Sequence, residues 1–196
     1  MAEKFDAQHA HRLENPERFG EMPPERLVEL LALNGAETLV DFGAGTGLYS
    51  LRFAEALPEG EVIAVEEQAE LAAMLRAKLP ASPFRDRVRV VVNADGTVPL
   101  PDGIAGRLVM INVLHHIHDD EAALTEALRL LAPGGLLLVA EFARMERPMG
   151  PPNDHLLSLA DLHALLDRLG LRERVYRAPG EAALYHHILV ADKPTS

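Results

Sequence analysis

Three glycines at alternate positions, Gly43, Gly45 and Gly47, follow the apolar run Thr38-Leu39-Val40 and the acid Asp41, and a helix-like segment begins at Leu48. A strand that ends in an acid and opens through glycine into a helix gathers free backbone N–H groups and the positive end of a helix dipole at one point. Such a point receives a carboxylate or phosphate, and the glycines around Ala44 and Thr46 let a ligand lie directly on the backbone. The chemistry is that of holding a nucleotide-like cofactor. A second apolar run, Glu61-Val62-Ile63-Ala64-Val65, also ends in acids, Glu66 and Glu67. Carboxylates at the end of a neighbouring strand accept hydrogen bonds from both hydroxyls of a ribose. A dinucleotide fingerprint spaces its glycines G-x-G-x-x-G, whereas this chain has G-x-G-x-G. The acid alone suits NAD equally well, so the pair leaves both cofactors open.

Histidine is the other chemistry-bearing residue type. His115-His116-x-His118 with Asp119 and Asp120, together with His9-x-His11, has the composition of a metal site. Side chains that follow one another out of a strand point to opposite faces, so no metal is expected there. His115 instead reads as a pocket-lining group or general base, since imidazole titrates near neutral pH. His186-His187, near the last strand, reads as an exposed pair, and His163 as a surface residue on a helix.

The elements that must position these groups alternate. Helices are expected over 25–33 behind Pro23-Pro24, from 48 past the glycine turn, and over 69–79 before Pro80. Asp120 is placed to cap another helix running to Leu131, which Pro133-Gly134-Gly135 would end. Ser158 is placed to cap a further one, with Leu159, Leu162, Leu166 and Leu169 inward and Gly170 at its end. Strands are expected at 62–65, 87–92, 107–111, 136–140, 172–176 and 185–191, besides the first. Continuous apolar runs joined by helices predict an α/β fold, a doubly wound, mostly parallel sheet covered on both faces. The last two strands have no helix between them and read as an antiparallel hairpin.

Composition bounds the function. The chain has 196 residues, enough for one domain with a real core, and no apolar run long enough to cross a bilayer as a helix. No basic-then-apolar leader opens it, and it has no cysteine, which excludes disulfide and thiolate chemistry and fits a cytoplasmic protein. Nineteen basic against thirty acidic residues give a formal net charge of −11, a field that repels nucleic-acid backbones. The clusters Arg85, Arg87, Arg89 and Arg172, Arg174, Arg177 read as solvated faces of strands.

Taken in order, these motifs resemble the class I S-adenosylmethionine-dependent methyltransferases, and within them the ubiquinone- and menaquinone-biosynthesis type. The glycine turn after Asp41 resembles their first motif, Val109-Met110-Ile111-Asn112-Val113-Leu114-His115-His116-Ile117 their motif after the fourth strand, and Leu131-Ala132-Pro133-Gly134-Gly135 the stretch before the fifth. Leu100-Pro101-Asp102-Gly103 is similar to their loop before the fourth strand, but Gly106-Arg107 replaces the usual acid. The similarity runs over residues 25–192. It implies a seven-stranded Rossmann-like sheet and S-adenosylmethionine as cofactor. It further implies that Gly43 and Gly45, within the turn Asp41 to Gly47 that includes Ala44, carry the methionine end. Glu66, beside Glu67, would hold the ribose, and Asp95 the adenine amino group, with the backbone at Ala94 on the ring. The Asn112 carbonyl would meet the ammonium, Asp41 would orient the turn or reach the ammonium through water, and His115 or His116 would stand at the lip of the acceptor pocket.

The same resemblance makes residues 1–23 a leader or active-site lid and 24–196 the methyltransferase domain. A long proline-rich loop, residues 144–155, leaves the fifth strand on the ligand side, with Glu141 at the strand end expected to face the pocket. The expected partner is a small-molecule methyl acceptor, with neither nucleic acid nor membrane, in a monomer or homodimer. A non-catalytic S-adenosylmethionine-binding protein, an RNA methyltransferase and a nicotinamide dehydrogenase are the competing readings.

Overall fold

A computed structural model describes residues 7–93, 95–117 and 121–195. Seven strands form one sheet: β1 (Thr38–Phe42), β2 (Glu61–Glu66), β3 (Val88–Val92), β4 (Ala105–Ile111), β5 (Leu131–Phe142), β6 (Arg172–Arg177) and β7 (His186–Asp192). Their order is β3-β2-β1-β4-β5-β7-β6, parallel from β3 to β5 and antiparallel where β7 meets β5 and β6. The predicted α/β architecture with an antiparallel C-terminal pair is therefore what forms. Chain order reverses at β1, between β2 and β4, which is where sheets of this kind open a crevice at their carboxyl ends.

Among the described residues, seven α-helices accompany the sheet: α1 (Arg18–Glu21), α2 (Pro24–Leu30), α3 (Leu48–Ala56), α4 (Ala69–Lys78), α5 (Leu114–Ile117), α6 (Glu121–Leu130) and α7 (Leu159–Arg168). Alternate side chains of each strand feed two cores. One holds Val40, Val65, Leu108, Val139 and Leu189 against Leu124, Leu162 and Leu166. The other packs Leu39, Val62, Val109, Leu138 and Val190 against Leu27, Phe53 and Leu75. Ser158 caps α7 in a capping box, its hydroxyl accepting from the Asp161 amide while the Asp161 carboxylate accepts from the Ser158 amide.

Four expectations need correction. Helix α2 ends at Leu30 because Ala32 turns the chain at φ 49°, and the Arg107 guanidinium donates to the Leu31 carbonyl at 2.6 Å. The arginine that departs from the family's pattern thus caps a helix end. The helix expected to reach Leu131 stops at Leu130, since Leu131 is fully buried and already pairs with Ala105. Gly134 donates to the Lys193 carbonyl, and the Lys193 ammonium closes the helix end on Leu128 and Leu131, so sheet pairing displaces the last helical turn. The strand expected from residue 87 begins at Val88, leaving Arg85 and Arg87 in a 3-10 turn, Arg87 hydrogen-bonded to the Leu57 carbonyl. Fourth, His186 is buried. Asp120, expected as a cap, lies outside the described residues.

Candidate active site

The glycine turn is tied to the neighbouring strand before it meets any ligand. Gly43 and Ala44 both donate to the Val65 carbonyl, at 2.8 and 3.0 Å. Gly43, Gly45 and Gly47 all have positive φ, and a Cβ on Gly47 would meet Leu75 at 2.2 Å, so that position has no room for a side chain. Helix α3 follows with no side-chain cap on its first N–H groups.

Two buried acids sit beneath this turn. The Glu66 carboxylate accepts from the Gly45 amide at 2.7 Å and from the Gln68 amide at 2.9 Å, bracing the turn against β2. Burial raises its pKa, and the N–H bonds from Gln68 and Gly45 oppose the rise. Asp41 is 3% exposed and accepts from the Ser50 hydroxyl at 2.5 Å. Burial pushes its carboxyl up to about 6, with the Ser50 bond opposing and Glu66 adding.

A cavity of about 260 Å³ opens over these groups at the carboxyl ends of β1, β2 and β4. Its wall includes Asp41, Gly43, Ala44, Gly45, Thr46, Glu66, Glu67, Asn112 and His116. Asn93 and Gly96 also line it, whereas Asp95 is exposed and off the wall, and Ala94 lies outside the described residues. Gly47 is buried behind the turn. Three side-chain oxygens on the wall are buried without a hydrogen-bond partner: Thr46 Oγ1, Asn93 Oδ1 and Asn112 Oδ1. Asn112 is held at φ 57°, a left-handed conformation that asparagine takes more readily than most non-glycine residues.

The two histidines part company. His116 lines the cavity, while His115 is 7% exposed and turned into the protein, its Nδ1 2.8 Å from Glu141 Oε2. Glu141 is 1% exposed and also accepts from the Leu114 amide at 2.6 Å. The expected divergence of adjacent side chains rests on a strand, but these residues form the one-turn helix α5, and their rings lie 4.0 Å apart. Glu141 does not line the cavity. A charged residue inside the apolar run 136–140 and its extension was the sequence signal that it has an interior partner.

His186 is 2% exposed, stacks on Phe142 with ring centroids 4.2 Å apart, and has no hydrogen-bond partner on either ring nitrogen. Burial lowers its pKa to about 3, helped by the nearby Arg18 and Arg147 charges. The expectation of an exposed pair fails because β7 is inserted between β5 and β6 and both its faces are covered. Arg147 organises the loop after β5, stacking on Phe142 and donating to the Ala143, Met145 and Pro151 carbonyls and to Asn153. Among the described residues no group of three or more His, Asp or Glu is placed to hold a metal ion. His118, Asp119 and Asp120 lie outside them.

From the N-terminal segment, Leu13 and Arg18 reach the cavity wall. The Arg18 guanidinium donates to the Leu13 carbonyl, and burial lowers its pKa. Tyr49 donates to the Met22 carbonyl at 3.0 Å, and Lys78 joins Glu14 to the Thr46 carbonyl. In the sequence Arg18 falls only within the 1–23 leader, and nothing beside it sets it apart as a wall residue.

Comparison with known proteins agrees with this geometry. A methyltransferase domain model matches residues 40–139, half of the chain. The ubiquinone/menaquinone biosynthesis C-methyltransferase of Syntrophotalea carbinolica is 32% identical over 123 residues, 62% of this chain and 51% of that protein. The demethylmenaquinone methyltransferase of Thermus thermophilus is 32% identical over 118 residues, 60% of this chain and 52% of that one. The chain thus spans about half the length of these curated relatives. The crystal structure of a SAM-dependent methyltransferase from Aquifex aeolicus superimposes with a TM-score of 0.88 at 24% identity, covering 96% of this chain and 98% of that one, a likeness of fold. No helix among the described residues is long and apolar enough to cross a membrane. With its glycine turn, its acid-braced second strand and its matched domain, the chain belongs to the class I S-adenosylmethionine-dependent methyltransferases.

Proposed function

We propose that this protein methylates a small-molecule acceptor, and that hydroquinones are the first acceptor class to test. The observation that carries the reading is the cavity over the glycine turn, where buried Thr46 Oγ1, Asn93 Oδ1 and Asn112 Oδ1 lack partners within the protein. Unpartnered buried oxygens are costly, and a polar nucleoside with amino and hydroxyl donors would satisfy them. The residues present therefore fit the cofactor. Bound S-adenosylmethionine supplies a methyl group already activated by its sulfonium, ready for in-line displacement by an aligned nucleophile.

The protein's part is positioning, exclusion of water and handling of a proton. Gly43 to Thr46 receive the amino-acid end, and Glu66 and Glu67 accept from the ribose hydroxyls. Asn93 stands where the base is expected, in the place the sequence reading gave to Asp95. His116, the imidazole on the described cavity wall, takes the proton that the acceptor loses. The leader 1–23, of which residues 1–6 lie outside the described residues, acts as a lid, a reading supported by Leu13 and Arg18 on the wall and by the Lys78 contacts to Glu14 and Thr46.

The hydroquinone class is favoured by the two named relatives, one a ubiquinone/menaquinone biosynthesis C-methyltransferase and the other a demethylmenaquinone methyltransferase. Calorimetric titration with S-adenosylhomocysteine, with NADH as control, tests the cofactor. Micromolar binding of the former alone is expected; binding of NADH instead would replace the reading with a dehydrogenase. Transfer of labelled methyl from S-adenosylmethionine to a panel of demethylated naphthohydroquinones, simple phenols and RNA then tests the acceptor. Transfer to no member of the panel by a protein that binds the homocysteine product would favour a non-catalytic binder.

A further inference from the structure

We propose that Glu141 is a positioning residue: through His115 it fixes the orientation of the His116 ring on the cavity wall. The inference rests on the reading of His116 as the group that faces the acceptor. Helix α5 has only four residues, Leu114–Ile117, and a single turn has no stability of its own. Its hold comes from β5. One Glu141 oxygen accepts from the Leu114 amide at the start of the turn, and the other meets Nδ1 of His115, the next residue. A carboxylate with both oxygens engaged on successive residues fixes the direction of the turn as well as its position.

The same contact selects a tautomer. A carboxylate can only accept, so the His115 nitrogen facing Glu141 carries the hydrogen. At 1% exposure of Glu141 and 7% of His115, water does not compete for this bond. The His115 ring is thereby locked, and it presents a fixed face 4.0 Å from the His116 ring, tilted by 44°. His116 is further fixed by its own amide, which donates to the Val113 carbonyl at 2.9 Å. The chain of constraint runs from a strand end, through a buried imidazole, to the imidazole on the wall. This is the arrangement by which an interior partner orients a functional histidine without touching the ligand.

Imidazole nitrogen spectra of ¹⁵N-histidine-labelled protein test this, recorded with and without S-adenosylhomocysteine and assigned with His116→Gln. In the wild type His115 is expected to show a protonated Nδ1 and His116 a single set of ring signals. Glu141→Gln keeps an oxygen for the Leu114 amide but turns an NH₂ donor to His115. His115 is then expected to lose its fixed Nδ1 proton, and the His116 ring signals to shift or split as the ring loses its fixed neighbour, while affinity for S-adenosylhomocysteine stays within twofold. Should Glu141→Gln not fold, His115→Asn decides, since its amide still donates to Glu141 but the ring against His116 is gone; the same shift at His116 is expected. Unchanged His116 signals in a folded variant would overturn the proposal. Failure of the wild type to bind S-adenosylhomocysteine would instead overturn the cofactor reading, and the spectra without it would still decide the role of Glu141.

Discussion

The two halves of the sheet's carboxyl edge solve the problem of buried polar groups differently. On the β1–β2 side the acids are braced by nearby donors: Asp41 by Ser50 on the following helix, Glu66 by the Gly45 and Gln68 amides. The oxygens left unpartnered there, on Thr46, Asn93 and Asn112, belong to residues that line a cavity. On the β5–β7 side the polar groups turn inward. Glu141 reaches across to α5, and His186 is enclosed against Phe142 with neither nitrogen bonded. The first half lines an open cavity, and the second holds its own parts in place. Polar side chains at the edge of a sheet thus need not belong to the binding surface; what each one faces decides.

The largest expected effect separates the halves by stability. Glu141→Ala strands the Leu114 amide and the His115 ring in the interior and should cost about 3 kcal/mol in urea unfolding. Loss confined to cofactor affinity, with stability intact, would mean that Glu141 belongs to the ligand side. Conversely, Glu66→Ala should weaken S-adenosylhomocysteine by about 1–3 kcal/mol in calorimetry, by removing ribose hydrogen bonds and unbracing Gly45. Unchanged affinity would remove Glu66 from the site.

Acid sharpens the contrast, because the two halves respond with opposite sign. His186 has its folded pKa lowered to about 3, so its contribution to stability is present above pH 6.5 and is lost as the pH falls toward 3. Asp41 has its folded pKa raised to about 6, so the unfolded chain binds fewer protons between pH 4 and 6, and acidification through that window stabilises the fold. His186→Phe should therefore gain relative to wild type on acidification, by about 1.4 kcal/mol per pH unit between pH 6 and 4. Asp41→Asn should lose relative to wild type over the same window. Parallel unfolding curves across pH for all three proteins would show that neither group titrates as its burial requires. As the smallest change, Ser158→Ala removes the capping box of α7, remote from both halves. It should cost about 1 kcal/mol of stability and leave S-adenosylhomocysteine affinity alone.

How much of this was legible in advance follows from the range of each interaction. The glycine turn, the acids ending the first two strands and the Ser158 cap are written within a few residues of one another, and the structure places each where the local pattern puts it. Helix ends were less legible wherever a distant group competes. Leu131 left its helix for a partner in β4, and Arg107 decides where α2 closes. Which histidine meets the cavity was not legible, because residues 114–117 form a helical turn where strand alternation does not apply, and a glutamate from distant β5 holds His115 inward.

By itself the sequence determined the alternation of strands and helices, the cofactor turn and the family, because apolar periodicity, glycine and capping chemistry act over single turns of chain. Only the tertiary structure decided which histidine meets the cavity, that Asn93 rather than Asp95 lines the described wall, and that His186 is enclosed. Those outcomes depend on which strands become neighbours. The insertion of β7 between β5 and β6 and the reach of Glu141 from β5 to α5 are properties of the assembled sheet, and no short stretch of the chain encodes them.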